Sequence, residues 1–190
     1  VYMNYCTVSY SAAWWDWERW QRELDFMAMN SINMPLSVVG LEAVWYNTLL
    51  KHKFTDEEAR QFLAGPGHFA WQWMQNLQSY GGPLPKSWID KHIVLGKQII
   101  DRELELGMQP IQQGFPGYVP RELKEKYPDA KIQLQPSWCG FTGAAQLDPT
   151  DSLFTVIGRD FLEEEKKLYG AHGVYAADPF HESQPPVDTP

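Results

Sequence analysis

Four short apolar stretches, at residues 1–8, 32–39, 108–115 and 173–180, are separated by longer segments of helical periodicity. Each stretch is mostly apolar rather than alternating, which suits strands of a parallel sheet covered on both faces. Pro35 and Pro110 place bends or strand starts within the second and third stretches. Between the first two, Trp17, Trp20, Leu24 and Met27 recur at helical spacing and predict a helix over residues 16–30. Ser87 and Asp90 as a capping pair, with Gly107 past the end, predict a helix over about residues 88–106. A helix over about residues 150–169 is expected to turn Leu153, Val156, Ile157, Phe161, Leu162 and Leu168 inward and to stop at Gly170. The long second-to-third connection has Thr55 and Glu58 at capping-box spacing, opening a helix over 55–64, then a helical stretch over 69–77 and a turn at 81–85. A short helix over 121–127 and an irregular stretch over 135–146 follow the third strand.

Repeated strand–helix–strand order with right-handed crossovers gives an α/β fold. An open doubly wound sheet and a (β/α)8 TIM-type barrel both satisfy it. No GxGxxG or GxxxxGK[ST] follows any strand, which removes support for the nucleotide-binding open sheets. A whole barrel takes ~250 residues. Four strands in 190 residues therefore read as the first four βα units of one, with long loops. The opening VYMNYCTVSYS reads as a strand and its exit, and the closing HESQPPVDTP as a loop. Neither reads as a natural terminus, so residues 1–190 are expected to be the N-terminal half of a larger barrel. Lys plus Arg number 16 against 24 Asp plus Glu, a net charge of −8, which disfavours nucleic acid as a partner. No apolar run approaches the ~18 residues of a membrane span. The five His lack metal-ligand spacing, so neither metal nor cofactor is expected, and two Cys cannot build a disulfide framework.

Barrel chemistry sits at the C-terminal ends of the strands. That selects Asn4, Cys6 and Tyr10 after the first strand, Glu42 after the second, Gln112, Gln113 and Tyr118 after the third, and Asp178, His181 and Glu182 after the fourth. Glu182 lies between His181 and a loop stiffened by Pro185 and Pro186. It is either a solvated loop carboxylate or a general acid/base, and Glu42 poses the same choice. His181 reads as a proton shuttle or as a hydrogen-bonded neighbour orienting Glu182. Asp178 reads as structural, and Cys6 as a pocket wall or a reactive thiol. No GxSxG context for a serine nucleophile is present. Aromatic residues make up 14% of the chain, and Trp71, Trp73 and Trp138 fall in long loops, where they serve either as packing or as platforms for sugar rings.

The opening VYMNYCTVSYSAAWWDWERWQRELDFMAMNSINMPL closely resembles the start of the catalytic barrel of the α-N-acetylglucosaminidases, glycoside hydrolase family 89. GLEAVW (40–45), FLAGPGHFAWQWMQN (62–76), GGPLPKSW (81–88) and YAADPFHESQPP (175–186) extend the resemblance in order along nearly the whole chain. The resemblance implies a (β/α)8 barrel flanked by a small N-terminal domain and a helical C-terminal domain, both absent here. It implies retaining removal of terminal non-reducing α-linked N-acetylglucosamine from a glycan, with Glu182 as the acid/base. The nucleophile would lie on a later strand, so the remainder of the barrel is needed and this chain alone is expected to be inactive. Asn4, Cys6, Tyr10, Trp71 and Trp138 match sugar-pocket positions. Glu42 sits in a matching motif, and His181 stands where some relatives have Asn. The Cys-containing loop of lysosomal relatives reads WCGFTGAAQ here, so no local disulfide is expected. Family habit then favours a secreted or periplasmic bacterial enzyme, or a lysosomal one in a eukaryote. The alternatives are a non-catalytic carbohydrate-binding half-barrel and a retaining glycosidase of different sugar specificity.

Overall fold

The structure, a computed structural model, describes residues 1–186. The four expected stretches lie side by side in chain order, all parallel. Tyr2 bridges Pro35, Leu36 bridges Ile111, and β1 (Gln112–Gln113) pairs with β5 (Tyr175–Ala176). Tyr2 N donates to Met34 O at 3.0 Å, Ile111 N to Pro35 O at 2.9 Å and Gln112 N to Val174 O at 3.0 Å. This is an open arc of a (β/α)8 barrel, and the paired segments are only one or two residues long.

Helices cover the arc. α2 (Trp17–Met29) packs on α6 (Lys86–Glu105) through Trp20, Leu24, Met27 and Ile99. α3 (Leu41–Lys51) packs on α4 (Asp56–Phe62) and α8 (Ser152–Tyr169). Trp45 of α3 is the hub of the larger core, with ring centroids 5.6 Å from Phe62, 5.5 Å from Tyr118 and 5.0 Å from Phe161. The Asp16 side chain caps α2, the expected capping box opens α4, and Gly107 and Gly170 take positive φ past α6 and α8. A short α7 (Leu123–Lys126) occupies the expected 121–127 segment.

Several expectations are corrected. The first stretch is extended only to Asn4, and residues Tyr5–Tyr10 form helix α1. The Asn4 side chain accepts from Thr7 N at 3.2 Å, and α1 packs against α5 (Phe69–Trp73) and the 3-10 turn Pro66–His68. Capping and tertiary contact thus override the β-prone sequence YCTVSY. The residues after the second strand are α3, not a loop. Its sequence is buried almost throughout, so no amphipathic period reveals it. It starts at Gly40, whose φ is 89° and where a Cβ would lie 2.1 Å from the Tyr169 hydroxyl. α6 starts at Lys86 behind Pro85 with no side-chain cap, and Asp90 pairs with Lys86 instead of Ser87. Val156 and Leu162 of α8 face outward, while Glu164 and Glu165 are buried. The segment taken as irregular carries part of an antiparallel sheet, in which β4 (Ala145–Leu147) lies between β2 (Tyr118–Val119) and β3 (Ile132–Leu134). Of the closing loop, residues 187–190 lie outside the described residues.

Glu103 of α6 is buried, with Oε2 accepting from Ser37 Oγ at 2.7 Å. Burial pushes its carboxyl up from 4.5 to about 8. Between those values the folded chain keeps a proton that the unfolded chain has lost. Stability from this site is therefore fully present below about pH 4.5 and falls as pH rises toward 8. Glu165, also raised to about 8 by burial, acts in the same sense. Glu103→Gln keeps an acceptor for Ser37 and cannot ionise. It is expected to leave the unfolding midpoint unchanged at acidic pH and to stabilise the fold by about 2–3 kcal/mol near pH 7. Equal midpoints for variant and parent across this range would contradict a protonated Glu103.

Candidate active site

The loop after β5 carries Glu182 in a left-handed conformation, φ 50°, two residues after Phe180 at φ 64°. Each such non-glycine residue costs about 1 kcal/mol. Side-chain amides from elsewhere in the chain offset this. Gln75 Nε2 donates to Asp178 O at 2.6 Å and Asn76 Nδ2 to His181 O at 2.9 Å. Gln135 Nε2 donates to Gln184 O at 2.9 Å, and its Oε1 accepts from Gln184 N at 3.0 Å. Within the loop, Ser183 N donates to Phe180 O at 3.1 Å, and His181 Nδ1 lies 3.3 Å from Asp178 Oδ2. His181 and Asp178 thus act as loop structure beside the exposed Glu182.

Glu182 Oε2 accepts from Trp138 Nε1 at 2.6 Å, a short hydrogen bond. Trp138 lies between β3 and β4, in a turn closed by its bridge to Phe141. From Trp138 an unbroken band of rings runs across this face. Trp138 stacks on Phe141 at 6.3 Å, and Phe141 meets Tyr80 edge-on at 4.6 Å. Tyr80 meets His68 at 4.5 Å, His68 lies 6.0 Å from Trp71, and Trp71 meets Tyr10 at 5.3 Å. Tyr10, Trp71, Trp138 and Glu182, dispersed along the sequence, are thereby brought to one surface. Tyr10 is 73% exposed. An accessible carboxyl at the end of a band of aromatic faces suits sugar stacking combined with proton transfer.

Cys6 shares α1 with Tyr10, and Asn4 is the residue that caps it. Asn4 is exposed, and its Oδ1 also accepts from Thr7 Oγ1 at 3.1 Å. Cys6 is half-buried against the core, and both it and the exposed Cys139 are free thiols. Other candidates lie elsewhere. Glu42 is 1% exposed within α3, where its Oε1 accepts from Trp88 Nε1 at 3.0 Å and lies 2.6 Å from His92 Nδ1. That carboxylate is committed inside the helix layer and is not part of the aromatic band. Trp73 is buried and stacks on Phe69 at 5.2 Å, so it is packing rather than a platform. Tyr118 is a core residue donating to Leu77 O at 3.0 Å, and Gln112 is buried with its Nε2 donating to Gly170 O at 2.9 Å. Gln113 accepts from the Tyr5 hydroxyl at 2.6 Å, and burial pushes that phenol up to about 12. Gln75, Asn76 and Gln135 were not singled out from sequence. The signal available was a run of amides, Gln75, Asn76 and Gln78, in a segment otherwise too apolar for the surface.

The family described as alpha-N-acetylglucosaminidase (NAGLU) tim-barrel domain matches residues 1–190. The chain belongs to this family. Human alpha-N-acetylglucosaminidase is 40% identical over 193 residues, a match covering 100% of this chain and 26% of that protein. A family 89 glycoside hydrolase from Clostridium perfringens, in complex with 2-acetamido-1,2-dideoxynojirmycin, is similar at a TM-score of 0.93 and 38% identity, over 98% of this chain and 22% of that one. A Clostridium perfringens structure in complex with its substrate GlcNAc-alpha-1,4-galactose gives a TM-score of 0.92 and 37% identity, over 97% of this chain and 22% of that one. The alpha-N-acetylglucosaminidase barrel expected from sequence is therefore the fold, and this chain spans about a quarter of the length of these relatives. Among the described residues no group of three His, Cys, Asp or Glu is placed to hold a metal ion, and no helix is long and apolar enough to cross a membrane.

Proposed function

We propose that this chain supplies the acid/base half of the active site of an exo-acting, retaining α-N-acetylglucosaminidase. The observation that carries the reading is the 2.6 Å bond from Trp138 to Glu182 at the end of the aromatic band. Retaining hydrolysis places two carboxyl groups ~5–5.5 Å apart across the scissile bond. Glu182 is the one that protonates the departing glycosidic oxygen and later removes a proton from the attacking water. Trp138 occupies Oε2, and among the described residues Oε1 has no partner, so Oε1 is the atom that carries the proton. The nucleophile comes from a later strand of the barrel. Tyr10, Trp71 and Trp138 present ring faces to the sugar, and Asn4 and Cys6 line its pocket from α1.

The substrate is a glycan ending in non-reducing α-linked N-acetylglucosamine, in line with the ligand of the Clostridium perfringens relative. Such a substrate fits a secreted or periplasmic enzyme in a bacterium and a lysosomal one in a eukaryote. The test is release of 4-nitrophenol from its α-N-acetylglucosaminide by the full-length gene product beside residues 1–190. Activity in the full-length product and none in residues 1–190 is expected, because one carboxylate of two cannot form and release a glycosyl intermediate. Activity in neither would favour a non-catalytic sugar-binding barrel.

A further inference from the structure

Resting on the reading of Glu182 as the acid/base, we infer that Gln75 and Asn76 are positioning residues that determine where its carboxyl stands. Both are buried, adjacent in sequence and just past α5, and Gln75 is itself held at φ 74°. Gln146 of β4 donates to Gln75 Oε1 at 2.6 Å, which fixes the amide so that its NH2 group meets Asp178 O at 2.6 Å. Asn76 donates to the carbonyl of His181, the residue joined to Glu182. The two amides thus grip the backbone at both ends of the Asp178–His181 segment. Gln135 grips Gln184 on the far side of the glutamate. Neither Gln75 nor Asn76 is charged, and neither is part of the aromatic band. Their route to the chemistry is through the loop backbone. Without them, the left-handed residues Phe180 and Glu182 lose two of the bonds that hold their conformation.

The variants are Gln75→Met, of similar length and without donors, and Asn76→Asp, nearly isosteric but presenting an acceptor to His181 O. Both are made in the full-length product and measured beside Glu182→Ala. A carboxyl displaced by about 1 Å costs on the order of 10²-fold where its proton is needed. For GlcNAc-alpha-1,4-galactose, whose leaving group needs that proton, kcat/KM is expected to fall about 10- to 100-fold in each variant. For the 4-nitrophenyl glycoside it is expected to fall less than about threefold, and added azide is expected to raise kcat. A proportional loss on both substrates without azide response, or no loss on either, would overturn the positioning role. If Glu182→Ala itself shows no dependence on leaving group, the acid/base reading fails first. If Glu182→Ala shows it and the amide variants do not, only the positioning role fails. Should Gln75→Met not yield folded protein, Asn76→Asp decides by the same criteria.

Discussion

Glu182→Ala in the full-length enzyme is expected to lower kcat/KM for galactose-linked N-acetylglucosamine by roughly 10²- to 10⁴-fold, the usual contribution of a positioned general acid. A galactose alkoxide is a poor leaving group and must be protonated as the bond breaks. 4-Nitrophenolate leaves unaided, so formation of the glycosyl intermediate from that substrate should barely slow. Its breakdown still needs a base for water. The intermediate should therefore accumulate, and kcat and KM should fall together. Azide needs no deprotonation and should restore turnover as the glycosyl azide. The geometry that supports this is specific: Trp138 holds one carboxyl oxygen at 2.6 Å and leaves the other toward solvent. Unchanged turnover of the galactose-linked substrate would remove Glu182 from the mechanism. Trp138→Phe keeps a ring and deletes the N–H, which separates stacking from orientation.

The second large effect is on stability. Trp45→Ala is expected to destabilise the barrel by about 3–5 kcal/mol, the range for deleting a large buried aromatic. Trp45 touches rings from four other segments, Phe62, Phe115, Tyr118 and Phe161. Phe62 lies in α4, Phe115 between β1 and β2, Tyr118 in β2 and Phe161 in α8, so the void would open where these segments meet α3. Native folds are stable by only about 5–15 kcal/mol, so such a loss should show as a markedly lower unfolding midpoint or as poor recovery of folded protein. Trp45→Phe, which retains part of the ring volume, should lose less. A midpoint unmoved by Trp45→Ala would mean that another cluster governs cooperativity.

The sequence reading succeeded where one face of a helix is buried and the other wet. α2, α4 and α8 are of this kind, and the capping box of α4 and the glycine that ends α8 are legible as well. It failed where burial is nearly total, as in α3, whose apolar residues run all round and erase the period. It also failed where one cap outweighs a β-prone segment, as at Asn4 and α1. The short antiparallel sheet escaped because its strands are two or three residues long, below any detectable alternation. For the candidate site, position past a strand end makes Tyr10 and Glu182 candidates, and the family resemblance adds the acid/base role of Glu182 and the sugar-pocket roles of Trp71 and Trp138. Glu42 was placed in a loop because α3 was missed, and as a helix residue it is paired with Trp88 and His92 instead. Gln75, Asn76 and Gln135 act through backbone carbonyls, and residue type alone does not announce that work.

The excursion between β3 and β4 contributes two things at once. Gln135 holds the backbone beside Glu182, while Trp138 supplies both a ring face and the donor to its carboxyl. On the proposed reading, recognition and proton chemistry are therefore not separable modules. Exchanging that excursion for a relative's, in order to transplant a new sugar preference, would relocate the acid along with the platform. Divergence toward other glycans should accordingly proceed by coordinated change in both loops, and recombination designs are expected to work only when residues 135–146 and 177–186 travel as one cassette.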